Sequence, residues 1–358
     1  MHVASIWGDL RREMQFHYTL RRISDAMLGE HFEREIREQP DVWAAIAASD
    51  KAQRLADAID GRDIVLLGSG SSLFIAQLGA LALRRRAIRA HALAATEVPL
   101  DHAAYAGSAT IAVSQSGESE DLLHALDVLN PGLLIALTNS PQSPLAERAS
   151  LAIDVGAGRE IAVPASKSVT ATAAILLWAA GMLGQAHQRS AKTLIETADD
   201  VRSWLDSSGV EEVRDAARRI ASRRSVLIFG TGYGLPIAHE FALKLKEASY
   251  IHAEGFSAGE FRHGSGAMLD ASCASIAIVD DVSRAVVNRP MLEAAAADSL
   301  RYAIGGKLGD VPVLGPVVGI AFNTLAWLVA AQMLALYTGR ARHVESDAPR
   351  GQVKVLDT

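Results

Sequence analysis

Asp63-Ile64-Val65-Leu66-Leu67-Gly68-Ser69-Gly70-Ser71-Ser72, running on to Leu83, reads as a strand, a Gly-rich turn and a long Ala/Leu helix. Ser225 to Leu245 reads the same way. Laid over each other, Gly68 meets Gly230, Gly70 meets Gly232, Ile75-Ala76 meets Ile237-Ala238, and Leu81 meets Leu243. The chain is two copies of one plan. Each copy offers a second strand, Ala109 to Val113 and Ala274 to Val279, then a small-residue loop with a very apolar helix, Val163 to Leu183 and Val313 to Tyr337. Strands alternating with helices predict an α/β fold, with a doubly wound parallel sheet flanked by helices in each half. From about Gln188 to Arg224 apolar residues recur at helical spacing among Arg, Asp, Ser and Glu, which predicts one helix bridging the halves. The expected division is a helical segment over 1–40, a first domain over 41–195, a second over 205–345, and a tail over 346–358.

Composition narrows the function. The 358 residues carry a net charge of −6, which leaves no electrostatic footprint for nucleic acid or an anionic membrane. Aromatics at 5% against 49% hydrophobic residues suit helices packed on parallel sheets. One cysteine, Cys273, excludes an internal disulfide and a cysteine-rich zinc site. Arg11, Arg12 and Glu13 interrupt any signal-like apolar run. The apolar stretch from Val311 to Tyr337 contains Pro312, Pro316, Asn323 and Gln332, and reads as a buried strand-turn-helix rather than a membrane span. A cytoplasmic protein is expected.

The loops point to an anion. Ser114-Gln115-Ser116-Gly117-Glu118-Ser119 follows the apolar run 109–113 and precedes a helix start at Glu120. Such a turn gathers backbone N–H groups and hydroxyls where the positive end of the helix dipole lies, and that spot suits a phosphate. Taken alone, an ordinary loop with a serine N-cap explains it as well. Gly68-Ser69-Gly70-Ser71-Ser72 lacks the third Gly of a dinucleotide fingerprint and the Lys of a P-loop. Its serines can instead share one phosphate with the 114–119 loop. Val163-Pro164-Ala165-Ser166-Lys167-Ser168 is expected to end a third strand and open a helix, a third serine-bearing strand end that offers Ser166 to the same phosphorylated ligand. Open α/β sheets bind ligands beyond the carboxyl ends of their strands, where all these loops sit. At the loop matching Ser114-Gln115-Ser116, the second half has Val279-Asp280-Asp281-Val282. Two carboxylates there would repel a phosphate, so one site per chain is expected, in the first half.

A second informative stretch runs from His239 to His263. Glu240, Lys244 and Glu247 share one helical face. A solvated salt-bridged face is the plain reading, but the helix follows Gly230-Thr231-Gly232, which places its start near a crevice. A partly desolvated Glu there can act as a general base. His263 lies in a run rich in Gly and small residues and can move a proton at a ring oxygen, or be an ordinary loop histidine. Asp347 to Val355 reads by composition as a frayed terminus carrying one lysine, Lys354.

Together these residues resemble the sugar isomerase (SIS) family, in particular the isomerase half of glucosamine-6-phosphate synthase and its stand-alone relatives. The likeness runs from about Met27 onward. It is carried by the 114–119 loop, by Ala238-His239-Glu240-Phe241-Ala242-Leu243-Lys244-Leu245-Lys246-Glu247, by Tyr250-Ile251-His252-Ala253-Glu254 with Glu260-Phe261-Arg262-His263-Gly264, and by the tail. The resemblance implies two tandem SIS domains. It implies that Ser71, Ser72, Ser114, Gln115, Ser116 and Ser119 bind a sugar phosphate, with backbone around Val163 touching the sugar. Glu247 matches the base that moves a proton between C1 and C2. His263 matches a ring-opening histidine that reaches in from the neighbouring subunit of a dimer, which implies a homodimer with shared sites. Lys354 matches a tail lysine that can form a Schiff base, and Glu240 and Lys244 match polar residues of the same site. No metal or cofactor is implied.

Three departures bear on the reaction. Ser265 stands where the family often has Pro after His-Gly, Met1 to Ala26 has no counterpart, and no glutaminase segment or N-terminal cysteine nucleophile precedes the likeness. The expected reaction is therefore the reverse of synthesis: glucosamine-6-phosphate to fructose-6-phosphate plus ammonia. Deglycation of a fructosamine phosphate and deamination of galactosamine-6-phosphate are the near alternatives. A non-catalytic sugar-phosphate sensor is the alternative of another class.

Overall fold

A computed structural model describes residues 28–183 and 189–354. The expectation for residues 1–26 lies outside them. The strands β1 (Ile64–Gly68), β2 (Ala90–Ala94), β3 (Ala109–Ser114), β4 (Leu133–Thr138) and β5 (Leu151–Asp154) form one parallel sheet in the order β2-β1-β3-β4-β5. The strands β6 (Ser225–Gly230), β7 (His252–Ser257), β8 (Cys273–Ile278), β9 (Leu300–Ile304) and β10 (Val313–Leu314) form a second, in the order β10-β9-β8-β6-β7. Element for element the second order repeats the first. β1, β3, β6 and β8 are buried along their whole length, as parallel strands covered on both faces must be. The expected α/β architecture of two doubly wound sheets is what the chain adopts.

Each sheet reverses direction beside its first strand, between β1 and β3 and between β6 and β8, and each first strand runs through a Gly-rich turn into a helix. These helices are α3 (Ser71–Arg84) and α8 (Gly234–Ser249). The overlaid glycines are a steric necessity. A Cβ on Gly68 would lie 2.6 Å from the Ser72 carbonyl carbon, and one on Gly230 would lie 2.1 Å from the Gly234 oxygen. Only Gly lets the helix begin this close to the strand end.

Two helices, α5 (Lys167–Met182) and α10 (Asn323–Ala341), lie almost wholly in the interior. The stretch 320–341 is long and apolar enough to cross a membrane, but 83% of it is buried inside the protein. Packed around these two are α1 (Glu30–Ala47), α2 (Lys51–Ile59), α6 (Ala191–Leu205) and α7 (Gly209–Ala221). The connector expected as one helix is thus two, α6 and α7. Ser207 explains the break: its Oγ donates to the Trp204 carbonyl at 2.8 Å and accepts from the Gly209 N–H at 3.1 Å, which favours a turn over another helical residue. α1 runs straight across the expected boundary at residue 40. Pro40 removes the N–H that the Ile36 carbonyl would accept, and the Gln39 side chain supplies a donor instead at 3.0 Å. The third serine-bearing loop also differs from expectation: β5 ends at Asp154, and 155–166 is irregular before α5 begins.

Residues 345–354 are not a frayed end. Asp347 accepts from the N–H groups of His31 and Phe32 at 2.9 and 2.7 Å, capping α1, and its own carbonyl accepts from Val163 N at 2.9 Å. One turn along α1, Glu35 accepts from the Ile161 and Ala162 N–H groups. Burial pushes its carboxyl up to about 7, helped by Glu160 and opposed by the Ile161 N–H, Lys354 and Lys167. Between pH 4.5 and 7 the folded chain therefore holds a proton that the unfolded chain has released, so stability falls as pH rises through that window. Glu35→Gln keeps the acceptor and removes the titration. Thermal unfolding followed from pH 5 to 7 should show a shallower decline in the variant, and identical slopes would contradict this assignment.

Candidate active site

At the switch point of the first sheet, three strand ends and one helix converge on a cleft. After β1 come Ser71 and Ser72, in the first turn of α3; at the end of β3 come Ser114 and Gln115; at the end of β4 come Thr138 and Asn139. Ser168 and Thr172 of α5 close it. The cleft is narrow, about 30 Å³. The 114–119 turn is held firmly: Ser114 Oγ accepts from Gly117 N at 3.0 Å, and the Gln115 carbonyl accepts from Asn139 N at 3.0 Å and Thr138 Oγ1 at 3.2 Å. Gly117 has φ +67°, and a Cβ there would lie 2.0 Å from Ser143 Oγ. Ser116 Oγ accepts from Glu118 N, and Ser119 begins the helix α4 (Glu120–Leu129) without a side-chain cap bond. Ser116, Ser119, Val163 and Ser166 do not line the cleft. Val163 gives its N–H to the tail, while Ser166 is buried behind, donating its N–H to Glu160 at 2.8 Å.

Beside the cleft lies a network of buried charge. Lys244 Nζ sits 2.6 Å from Glu247 Oε2 and 3.6 Å from Glu240 Oε1 on α8. Lys244 and Glu240 side chains are 1% exposed, and Glu247 is 14% exposed, so Glu247 is the member that a small molecule can reach. Burial would pull Lys244 down, but Glu247 and Glu240 outweigh it and raise the ammonium above its ordinary value, with Glu160 contributing. Burial pushes Glu240 up to about 7, aided by Glu247 and opposed by Lys244 and the nearby Ser71 hydroxyl; neither carboxyl oxygen completes a hydrogen bond. Ser71 thus belongs to both the cleft and the charged cluster.

Glu160 was not singled out in the sequence. It is fully buried, accepts from Ser166 N, Ser168 N and Ser168 Oγ, and pairs with Lys354 Nζ at 2.9 Å. Burial would raise it, yet Lys354 and these donors prevail and hold it below the usual carboxylate range. This pair ties the tail to the loop that leads into α5. Thr138, Asn139, Ser168 and Thr172 were also missed. Thr138-Asn139-Ser140 closes the apolar run 133–137 in the manner of Ser114, and that signal was readable. His263 stands apart, exposed in a turn after β7, and no side-chain bond joins it to the cluster among the described residues. Those residues include no group of three or more His, Cys, Asp or Glu placed to hold a metal.

A parallel sheet with a hydroxyl-lined cleft at its switch point defines the class: an open α/β protein that offers its ligand cleft beyond the carboxyl ends of the strands. Residues 59–182 and 219–295 match the SIS domain model, and the chain belongs to that family. The glutamine–fructose-6-phosphate aminotransferase (isomerizing) of Pyrobaculum aerophilum is 30% identical over 352 residues, covering 90% of this chain and 56% of that protein. The chain spans about half the length of the curated relatives it matches. The C-terminal domain of glucosamine-fructose-6-phosphate aminotransferase from Francisella tularensis superimposes with a TM-score of 0.78 at 23% identity, covering 91% of this chain and all of that one. A glucosamine-6-phosphate deaminase from Thermotoga maritima gives 0.74 at 21% identity, covering 91% and 99%.

The Lys354–Glu160 pair predicts how the tail is fastened. Glu160→Gln leaves Lys354 without its counter-charge, and losing one partner of a buried pair costs about 3–5 kcal/mol. Trypsin should then cut after Arg350 or Lys354 faster than in the parent under native conditions. Equal cleavage rates would show that the tail is held by other contacts.

Proposed function

We propose that the chain is an amino sugar phosphate isomerase and deaminase that converts glucosamine-6-phosphate and water to fructose-6-phosphate and ammonia. The observation that carries this reading is that Ser71 joins the hydroxyl cleft to the Glu240-Lys244-Glu247 cluster, with Lys354 held alongside. The phosphate sits against the loops at Ser71, Ser72, Ser114 and Gln115, aided by backbone N–H groups and the start of α3. Ser116, Ser119, Val163 and Ser166 support those loops from outside the narrow cleft, and the sugar lies across its mouth toward Glu247.

His263 acts from a second copy of the chain, which fits its exposure away from the cluster, and it moves the proton that opens the ring. Glu247 then takes the proton from C2 and returns it to C1, leaving a hydroxymethyl group beside a C2 imine. Lys354 passes a proton to the imine nitrogen, its freed amine adds to C2 and ammonia leaves, and water then releases the ketose phosphate and returns the lysine as its cation. Lys244 neutralises Glu247 between transfers, and Glu240, protonated near neutral pH, lets Lys244 lean toward Glu247.

Removing a positioned general base costs about 10²–10⁴-fold in rate. Glu247→Gln should lose that much ammonia release from glucosamine-6-phosphate while keeping affinity for fructose-6-phosphate. Mixed dimers of Glu247→Gln and His263→Ala chains should regain part of the activity. An unmutated protein that binds glucosamine-6-phosphate but releases no ammonia, from it or from fructosamine and galactosamine phosphates, would overturn the enzymatic reading.

A further inference from the structure

The carboxyl edge of the second sheet carries a cavity of about 460 Å³. It occupies the place that the hydroxyl cleft has in the first sheet. Tyr233 enters it beyond β6, Val279 and Asp280 beyond β8, Gly305 and Gly306 beyond β9, and Asn323 and Trp327 from the start of α10. The corresponding positions of the first half are those after β1, β3 and β4 and the start of α5. The halves have diverged in what they put there.

Four arginines line the second cavity: Arg85 and Arg86 from the end of α3, Arg189 before α6, and Arg284 at the start of α9 (Arg284–Ala296). The two carboxylates expected to repel an anion are otherwise engaged. Asp280 Oδ1 accepts from Ser283 N at 2.5 Å, and Asp281 pairs with Arg284 at 2.7 Å. Arg284 also donates to the Lys307 carbonyl, so its charge is largely answered. Arg85 and Arg189 are different. Both lie over the Tyr233 ring, at 4.0 and 5.5 Å, and Arg189 Nε donates to the Ala321 carbonyl at 2.8 Å. Among the described residues neither has a carboxylate within ion-pair distance.

Guanidiniums brought this close repel, and Arg189 is half-buried. Its burial, with Arg86 and Arg85 adding repulsion, outweighs the favourable Tyr233 hydroxyl and moves it below its ordinary value. A multiply charged anion placed between Arg85, Arg86 and Arg189 would reverse the sign of that interaction, and planar guanidiniums match phosphate oxygens bidentately. The long helix α10 begins here without a side-chain cap or an acidic first turn, so its N-terminal dipole adds to the same field. The volume lies in the range of small-molecule sites and exceeds what inorganic phosphate fills. Tyr233, Val318 and Trp327 supply apolar surface for the remainder.

We infer that this cavity is a second anion site, distinct from the hydroxyl cleft, that takes a phosphate or diphosphate ester of a small organic molecule. It replaces the expectation of one anion site per chain with two of different chemistry: hydroxyls and backbone in the first half, arginines in the second. The inference goes beyond the proposed reaction and does not depend on it.

The probe is inorganic pyrophosphate titrated calorimetrically into the full chain, which reads binding without turnover. Arg85 is exposed and outside every core cluster, so Arg85→Ala should keep the parent thermal midpoint. It should weaken pyrophosphate at least about 10-fold, and Arg85→Lys should weaken it less. Ser72→Ala, in the other cleft, should leave the arginine-dependent binding unchanged. Binding that is insensitive to Arg85→Ala, binding abolished by Ser72→Ala alone, or no binding at millimolar pyrophosphate would each overturn the assignment. Failure of ammonia release with arginine-dependent binding intact would overturn only the proposed reaction.

Discussion

A helix that is apolar on every side has to be enclosed on every side, and α5 and α10 are both of that kind. Neither half can bury its own such helix against one sheet and leave the far face open. Each sheet therefore covers one side, and α1, α6 and α7 cover the others. The few polar atoms taken inside must then find one another. Thr170 of α5 donates to Gln39 of α1 at 2.7 Å, and Gln39 donates to Gln332 of α10 at 2.7 Å, so a single amide ties three helices. Trp43 adds its indole N–H to Thr170 at 3.1 Å. An unsatisfied member of this chain would cost about 1–3 kcal/mol, which fixes the register of the three helices as firmly as the packing does.

That enclosure is what brings α3 and α8 together, and with them the hydroxyls of one half and the carboxylates of the other. The charge that results falls into two groups, Glu240-Lys244-Glu247 and Glu160-Lys354. Lys244 lies between two acids and Lys354 answers a third, and burial of Glu240 is met by raising its carboxyl to about 7. The interior charge is thus stable as a set. Its most accessible member is the Glu247 carboxylate.

Much of this was readable in the chain. The repeated strand-turn-helix at Asp63 and Ser225 gave the two sheets, because glycines at strand ends and the switch to helical spacing are local signals. The common face of Glu240, Lys244 and Glu247 was equally local. Glu160 was not, since its meaning comes from Lys354, far along the chain, and from N–H groups in an irregular loop. The tail read as frayed because the groups that hold it, on α1 and at Val163, are remote in sequence. Asp280 and Asp281 show the opposite case. Their charge is visible in the sequence, but the turn N–H and the arginine that answer it are seen only in the fold. Residue type indicates what a position can do, while its partners decide whether that capacity is free.

The cap on α1 has a consequence for biogenesis. His31 and Phe32 emerge from the ribosome early, but the carboxylate that receives their N–H groups belongs to Asp347, 316 and 315 residues later. Glu345 likewise closes on Gly29. The first sheet can assemble while the second half is still being translated, yet the start of α1 stays uncapped until nearly the whole described chain is out. A nascent chain stalled before residue 345 would expose that helix end to chaperones and proteases, so α1 closes only once residues 345–347 have been made.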